Sequence, residues 1–386
     1  MSVHNDNRAS QVGEPLSCAD YATHARDWTS VRLLIGVTTG PSNKRRREVI
    51  RQTWMRWPTV GRSVVVCFVI GRRQVAPAVL AQLDKEAAEH RDILFLPRAA
   101  DGCVAMVSIG KAFAFWRTAS RIALSAPDGL RPEHPVFIAK ADDDSLVNVP
   151  LLEHALRRVS CLPYVYYGAF AFTGFQPVGF QNCGFAWGGG GSYAKYGCAA
   201  GGAHPPYPFA LGQLQALSAP LAAALTASHD ASEFAAAAEA TPTTNANEDS
   251  ALGFLISHLP NVRVSYVYMG KAWHNLGCYP ASGMYRQPIA NQTVVVHRLK
   301  ESATVRYAWA VLGRGEAPDL LACVNAMMTA KEGPVERLRT WCNRCGSAQG
   351  RAQYKGSTPF GCSDVMSRGR ANLLRASCVR HGMLPA

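Results

Sequence analysis

The chain has 386 residues, 48% of them hydrophobic and 17% charged, enough for one large core or two smaller ones. So few charges and so many Val, Ile, Leu, Phe and Trp exclude a chain that stays unfolded, and the lack of glycine triplets or heptads excludes a fibre. Lys plus Arg (40) exceed Asp plus Glu (27), giving a net charge of +13 that favours polyanions, acidic membrane surfaces or phosphorylated ligands without choosing among them. No apolar run approaches the ~20 residues that span a bilayer. Residues 1–20 are polar and lack the apolar core of a secretory signal. Twelve cysteines and the acceptor sequence Asn291-Gln292-Thr293 lean towards an oxidising lumen, with small buried cysteines as the plain alternative.

The first half alternates between two periods. Residues 31–37 form an apolar run closed by Thr38-Thr39-Gly40-Pro41, and residues 44–56 are basic and helix-favouring. The unit recurs: 64–70 predicts a strand ended by Gly71, 77–90 a helix and 92–96 the next strand. Ile109, Phe113 and Trp116 then fall at helical spacing. Residues 136–138 predict a short strand running into Asp142-Asp143-Asp144, followed by a helix over 150–158. Strands separated by helices of this length predict a parallel sheet covered on both faces. Residues 170–202, rich in Gly, Phe, Tyr and Trp, suggest a loop-rich binding region. The Ala-rich stretch 218–246 suggests a surface helix or an unstructured insertion. Leu252, Leu255, Ile256 and Leu259 mark one face of a helix that opens with Glu248-Asp249 and ends at Pro260. Two further strands are expected at 262–268 and 293–296, the latter running into His297.

Three adjacent carboxylates at the end of a parallel strand stand where ligands bind in such sheets. They repel one another unless solvent or a cation offsets the charge, and hard divalent ions prefer oxygen ligands. A metal bridging Asp142–Asp144 to a diphosphate is one reading, and a solvated acidic turn is the other. Glu248-Asp249 likewise fits either chemistry or a helix start that complements the dipole, and His297 either a ligand or an ordinary strand-end residue.

In order along the chain, these pieces resemble the β1,3-glycosyltransferases, inverting enzymes of GT-A type that move galactose or N-acetylglucosamine from a UDP-sugar. Arg46-Arg47-Glu48-Val49-Ile50-Arg51-Gln52-Thr53-Trp54 is similar to the family's "RR-x-x-I-R-x-T-W", and Cys67-Phe68-Val69-Ile70-Gly71 to its "F-V-[IL]-G". Glu86, His90, Asp92 and Ile93 follow "E-x-x-x-[YH]-x-D-I", with Lys111 near the family's helix lysine. Lys140 to Asn148 resembles "K-x-D-D-D-x-[FL]-V-N". Pro205-Pro206-Tyr207 with Gly212 is similar to "Y-P-x-Y-x-x-G-x-G", and Asn247 to Gly253 to "N-E-D-V-x-x-G". The likeness runs from about Leu33 to Lys300. It implies a Rossmann-like, mostly parallel sheet flanked by helices, with a nucleotide-sugar half at 30–167 and an acceptor half at 168–300. A polar tail or stem remnant (1–29) and a basic, cysteine-containing extension (301–386) lie outside it.

The resemblance implies that Asp142, Asp144 and His297 hold Mn²⁺ or another divalent cation against the UDP diphosphate. Asp249 would be the general base and Glu248 would orient the acceptor. Arg46, Arg47, Arg51, Lys111, Asp142 and Asp143 would contact the nucleotide-sugar, while Tyr207, Gly212 and Trp187 would meet the sugar or acceptor. A glycan acceptor, a β1,3 linkage, a Golgi or other secretory-lumen location and a membrane tether in the full-length protein also follow from it. The chain departs from the pattern at His204 and Ala210 within the "Y-P-x-Y" segment and before Lys111. Cys342, Cys345, Cys362 and Cys378 suggest disulfides, a thiolate zinc site or free thiols. Two other classes compete: an inactive lectin-like relative, and a basic nucleic-acid binder, for which no zinc finger, RNP strand or helix-turn-helix is evident.

Overall fold

A computed structural model describes residues 16–23, 30–101, 109–124, 136–176, 181–183, 204–240, 248–275, 292–300 and 302–314. Its first half is built as the apolar runs dictate. Strands β1 (Leu33–Thr38), β2 (Val64–Arg73), β3 (Ile93–Ala100) and β4 (Phe137–Asp142) alternate with helices α2 (Lys44–Gln52), α3 (Pro77–His90) and α4 (Ile109–Leu124). A short helix, α1 (Cys18–Thr23), precedes them. β1 runs parallel to both neighbours, with Leu33 opposite Val64 on one side and Phe137 on the other. Residues 64–70 are buried throughout, as a central parallel strand covered on both faces requires.

The expected helix over 44–56 is interrupted. α2 stops at Gln52 because the Thr53 hydroxyl bonds back to the Val49 carbonyl at 2.7 Å and the backbone leaves the helical region, before a 3₁₀ turn over Trp54–Arg56. α3 starts on Pro77 in its first turn and closes at Arg91, which takes the left-handed conformation with φ of 53°.

Beyond β4 come β5 (Leu146–Val147), α5 (Val149–Arg157), β6 (Val165–Gln176), β7 (Gln181–Cys183) and β8 (His204–Ser218). Of the stretch 170–202 expected as loop-rich, residues 170–176 and 181–183 are strand, and the remainder lies outside the described residues. β8 inserts antiparallel between β4 and β6, giving the order β3-β2-β1-β4-β8-β6-β7, with β9 (Ser265–Tyr268) parallel to the start of β6. Over its described part the Ala-rich stretch is helical rather than an unstructured insertion, in two helices of which the second keeps the expected exposed face. It forms α6 (Ala219–Ala227) and α7 (His229–Ala240), and Ala219, Leu221, Ala222 and Leu225 of α6 are buried.

α8 (Glu248–Ser257) lies so close to β8 that a Cβ on Gly253 would sit 2.4 Å from the Phe209 Cβ, so only glycine permits this approach. β10 (Trp273–Asn275) and β11 (Val295–His297) then join β5 in a small second sheet, β10-β11-β5. The strand expected at 262–268 is shorter than its apolar pattern suggests, and that at 293–296 begins two residues later. α9 (Ser302–Arg314) packs on the first half through Trp309, edge-on to Trp57 at 4.9 Å between centroids.

Helices thus cover a mainly parallel sheet, the α/β architecture expected of a GT-A-like chain. Its core centres on Trp54, Phe68, Phe115 and Trp116, all fully buried. A disulfide joins Cys18 of α1 to Cys67 of β2, while Cys161 is free and exposed. Cys342, Cys345, Cys362 and Cys378 lie outside the described residues. Among the described residues no helix is long and apolar enough to cross a membrane.

Candidate active site

The acidic turn is held by both sheets. β4 ends at Asp142, directly across from Thr38 of β1, and the Ser145 amide closes the turn onto the Asp142 carbonyl at 3.0 Å. β5 then pairs antiparallel with β11, Leu146 opposite Val296, which carries His297 to the turn from the far end of the chain. The Leu299 amide donates to the Asp144 carbonyl at 2.9 Å and locks this junction.

One donor atom each from Asp142, Asp144 and His297 lie within 4.8 Å of one another. The His297 Nε2 is 3.2 Å from Asp144 Oδ1 and 3.6 Å from Asp142 Oδ2, and its Nδ1 is 3.0 Å from Asn275 Oδ1. An amide oxygen only accepts, so Nδ1 donates to it, which turns Nε2 towards the carboxylates. That donor set fits a divalent cation. Burial alone would raise the Asp144 carboxyl, but His297 and the Lys300 ammonium in contact with it outweigh burial and hold it well below the usual range.

Asp143 turns the other way. Its carboxylate accepts from Thr39 Oγ1 and Asn43 Nδ2, both at 2.8 Å, and from Arg46 at 2.5 Å, fastening the β1–α2 connection to the acidic turn. Arg46 remains about one-third exposed. Arg47 and Arg51, expected at the nucleotide, sit in ion pairs with other elements. Arg47 is fully buried and bidentate on Glu86, at 2.8 and 2.7 Å, with its guanidinium also on the Gly40 and Pro41 carbonyls. Arg51 grips Asp92 and Glu86. These two arginines are held in buried ion pairs that bind α2 to α3 and to the residue before β3. Lys111 is also buried, donating to Asp101 and to the Thr39 carbonyl at 2.7 Å each. Burial lowers its pKa against the pull of Asp101.

On the other side of the acidic turn, α8 presents Glu248 and Asp249 in its first turn. Asp249 is buried and reaches across to β8, accepting from the Gly212 amide at 2.8 Å and from the Gln215 side-chain amide at 3.3 Å. A Cβ on residue 212 would lie 2.6 and 2.8 Å from the two carboxylate oxygens, so the contact demands glycine. Burial pushes the Asp249 carboxyl up to about 7. Lys140 opposes this, the charges of Glu248 and Asp142 add to it, and the Gly212 amide opposes it. A carboxyl poised near neutrality suits a general base.

Lys140 joins the two acidic groups, a role that sequence reasoning missed. Its buried ammonium lies 3.1 Å from Asp142, 2.7 Å from Glu248 and 3.8 Å from Asp249. These acids outweigh the effect of burial and hold Lys140 well above its ordinary pKa. The signal was present: residues 140 and 142 are two apart on a strand, so their side chains share a face. Asn275, Gln215 and Lys300 carried no such sign. Tyr207, expected against a sugar ring, is buried instead, with its ring 5.7 Å from Phe254. Trp187 lies outside the described residues.

Comparison with known proteins adds an independent line. The family model described as Galactosyltransferase matches residues 45–99. Over 144 residues, 35% of this chain and 33% of the relative, the sequence is 31% identical to probable beta-1,3-galactosyltransferase 8 of Arabidopsis thaliana. It is 27% identical over 160 residues, 40% of this chain and 37% of the relative, to beta-1,3-galactosyltransferase 7 of the same plant. The chain spans about a third of the length of these curated relatives.

Proposed function

For this relative of the β1,3-galactosyltransferases, we propose an inverting transfer of a hexose, galactose first, from a UDP-sugar to a glycan hydroxyl in β1,3 linkage. The observation that carries the proposal is the pair of acidic groups joined through Lys140. Asp142, Asp144 and His297 lie on one side, and Glu248 and Asp249 on the other. Asp142, Asp144 and His297 would hold the divalent cation, with Mn²⁺ favoured by a set of carboxylates and imidazole free of thiolate. Bound there, the cation supplies a Lewis acid for the diphosphate that departs with negative charge.

The protein's own groups account for the acceptor side. Asp249 accepts the acceptor hydroxyl proton as the new bond from oxygen to the anomeric carbon forms and the bond from that carbon to the diphosphate oxygen breaks. Gly212 and Gln215 aim its carboxylate, and Glu248, held by Lys140, orients the acceptor. Arg46, about one-third exposed beside the acidic turn, is suited to meet a nucleotide phosphate once released from Asp143. The Cys18–Cys67 disulfide supports an oxidising, secretory-pathway location.

The test is calorimetric titration of UDP in Mn²⁺, and then in EDTA, against the wild type and Asp144→Ala, alongside hydrolysis of several UDP-sugars. UDP binding that requires Mn²⁺ and disappears in the variant, with the thermal transition moved by no more than a few degrees, is the expected result. Equal UDP affinity in EDTA and in the variant would overturn the donor side of the proposal.

A further inference from the structure

The edge of the main sheet carries an aromatic surface that the transfer chemistry above does not use. Tyr268 is 60% exposed, Phe172 55% and Tyr266 39%. Phe170 packs edge-on to Tyr266 at 5.7 Å and to buried Tyr166 at 5.1 Å, so the outer rings stand on a fixed base. Soluble proteins rarely leave large aromatics uncovered side by side without a ligand for them.

Strand register ties this surface to the candidate active site. Lys140 on β4 lies opposite Gln215 on β8, Gln215 opposite Gly168 on β6, and Gly168 opposite Tyr268 on β9. Directly opposed residues point to the same face of a sheet. Tyr268 therefore shares its face with Lys140 and with Gln215, whose side-chain amide touches Asp249. Two strand spacings separate Gln215 from Tyr268, about 10 Å, the span of a disaccharide. Between them Gly168 contributes no side chain, and the Ala210 methyl stands where one would lie.

We propose that Tyr266 and Tyr268, backed by Phe170, form the platform for the second pyranose ring of the acceptor, counted from the ring that offers its hydroxyl to Asp249. This rests on the glycosyl-transfer reading. A pyranose presents a face of C–H groups and a rim of hydroxyls, and tyrosine matches it with an apolar ring and a polar tip. Acceptors ending in a β-linked disaccharide then bind better than the terminal sugar alone.

The probes are the methyl β-glycosides of galactose, N-acetylglucosamine and N-acetylgalactosamine, and the β-linked disaccharides carrying the same terminal sugars. Transfer is measured with UDP-galactose and Mn²⁺. In the wild type the disaccharide has about tenfold higher kcat/KM than its terminal sugar. Tyr268→Ala abolishes that advantage through KM and leaves the monosaccharide and UDP-galactose hydrolysis unchanged, while Tyr268→Phe keeps most of it. Equal use of both acceptors by the wild type, or an equal loss for both in Tyr268→Ala, overturns the platform. Hydrolysis without transfer to any probe also overturns it but leaves the donor site standing. Absence of both hydrolysis and transfer overturns the reading on which it rests.

Discussion

Replacing Lys140 by methionine removes a buried cation from among three carboxylates and keeps most of its volume. Lys140 lies 3.1 Å from Asp142, 2.7 Å from Glu248 and 3.8 Å from Asp249, and is 2% exposed. Removing one partner of a buried ion pair costs roughly 3–5 kcal/mol, because the charge left behind is neither solvated nor paired. The loss depends on pH, and its sign follows from Asp249. The pKa of Asp249 in the fold, about 7, lies above its ordinary 3.8, so the folded state binds this proton more tightly than the unfolded state. Its contribution to stability is complete below the ordinary value and is lost as pH rises through about 7. Lys140 is the largest influence pulling that pKa down, so Lys140→Met moves it higher and extends the loss to higher pH. Thermal melts in EDTA between pH 5 and 8.5 should show the variant's deficit growing with pH and shrinking towards pH 5. A deficit of the same size at every pH would refute the electrostatic role of Lys140 and leave only a packing defect.

Gly212→Ala places a methyl group within 2.8 Å of both Asp249 oxygens, so transfer should fall at least tenfold through kcat while UDP affinity and the far-ultraviolet spectrum stay unchanged. Glu86 is pushed up by burial but held below its ordinary 4.5 by Arg47 and Arg51. Its stabilisation is therefore complete above that value and lost as pH falls through the lower folded value. In acid titrations followed by circular dichroism, Glu86→Gln should lower stability most near neutral pH and converge with the wild type in acid. The Cys18–Cys67 disulfide closes a separation of 49 residues, worth about 4 kcal/mol by chain entropy. Cys18→Ser should lower the urea midpoint accordingly, and reductant should lower the wild type by more than it lowers the variant.

What the sequence made legible is what local periodicity encodes. β1, β2 and β4 were visible because both their faces are buried, so their apolar runs are continuous, and their parallel pairing followed from the helices between them. β8 was hidden. Its sequence, His-Pro-Pro-Tyr-Pro-Phe-Ala-Leu-Gly, is rich in turn residues, and its pairing with β6 shifts register twice, so it shows no period of two. α6 was misleading in another way, since Ala and Leu all around a helix look like low complexity but equally suit a helix buried among neighbours. The Asp142 turn, Asp249 and His297 stood out through motif order, whereas their convergence depends on β5–β11 pairing across some 150 residues, which no local pattern records. Arg47 and Arg51 had the helical spacing of an exposed basic face. Their partners, Glu86 and Asp92, are 35 to 41 residues away, and only the packing of α2 on α3 and β3 reveals that these arginines hold the fold together.

Single-turnover and steady-state transfer from UDP-galactose in Mn²⁺ by Asp249→Asn, compared with the wild type, bears on the proposed chemistry most closely. Asparagine keeps the shape and an oxygen to accept from Gly212 but takes no proton. A general base acting only in the transition state should leave the KM for donor nearly intact and lower kcat by roughly 10²- to 10⁴-fold. A variant that keeps more than a tenth of wild-type kcat, or that loses stability while turning over normally per folded molecule, would show that Asp249 supports the start of α8 rather than the reaction.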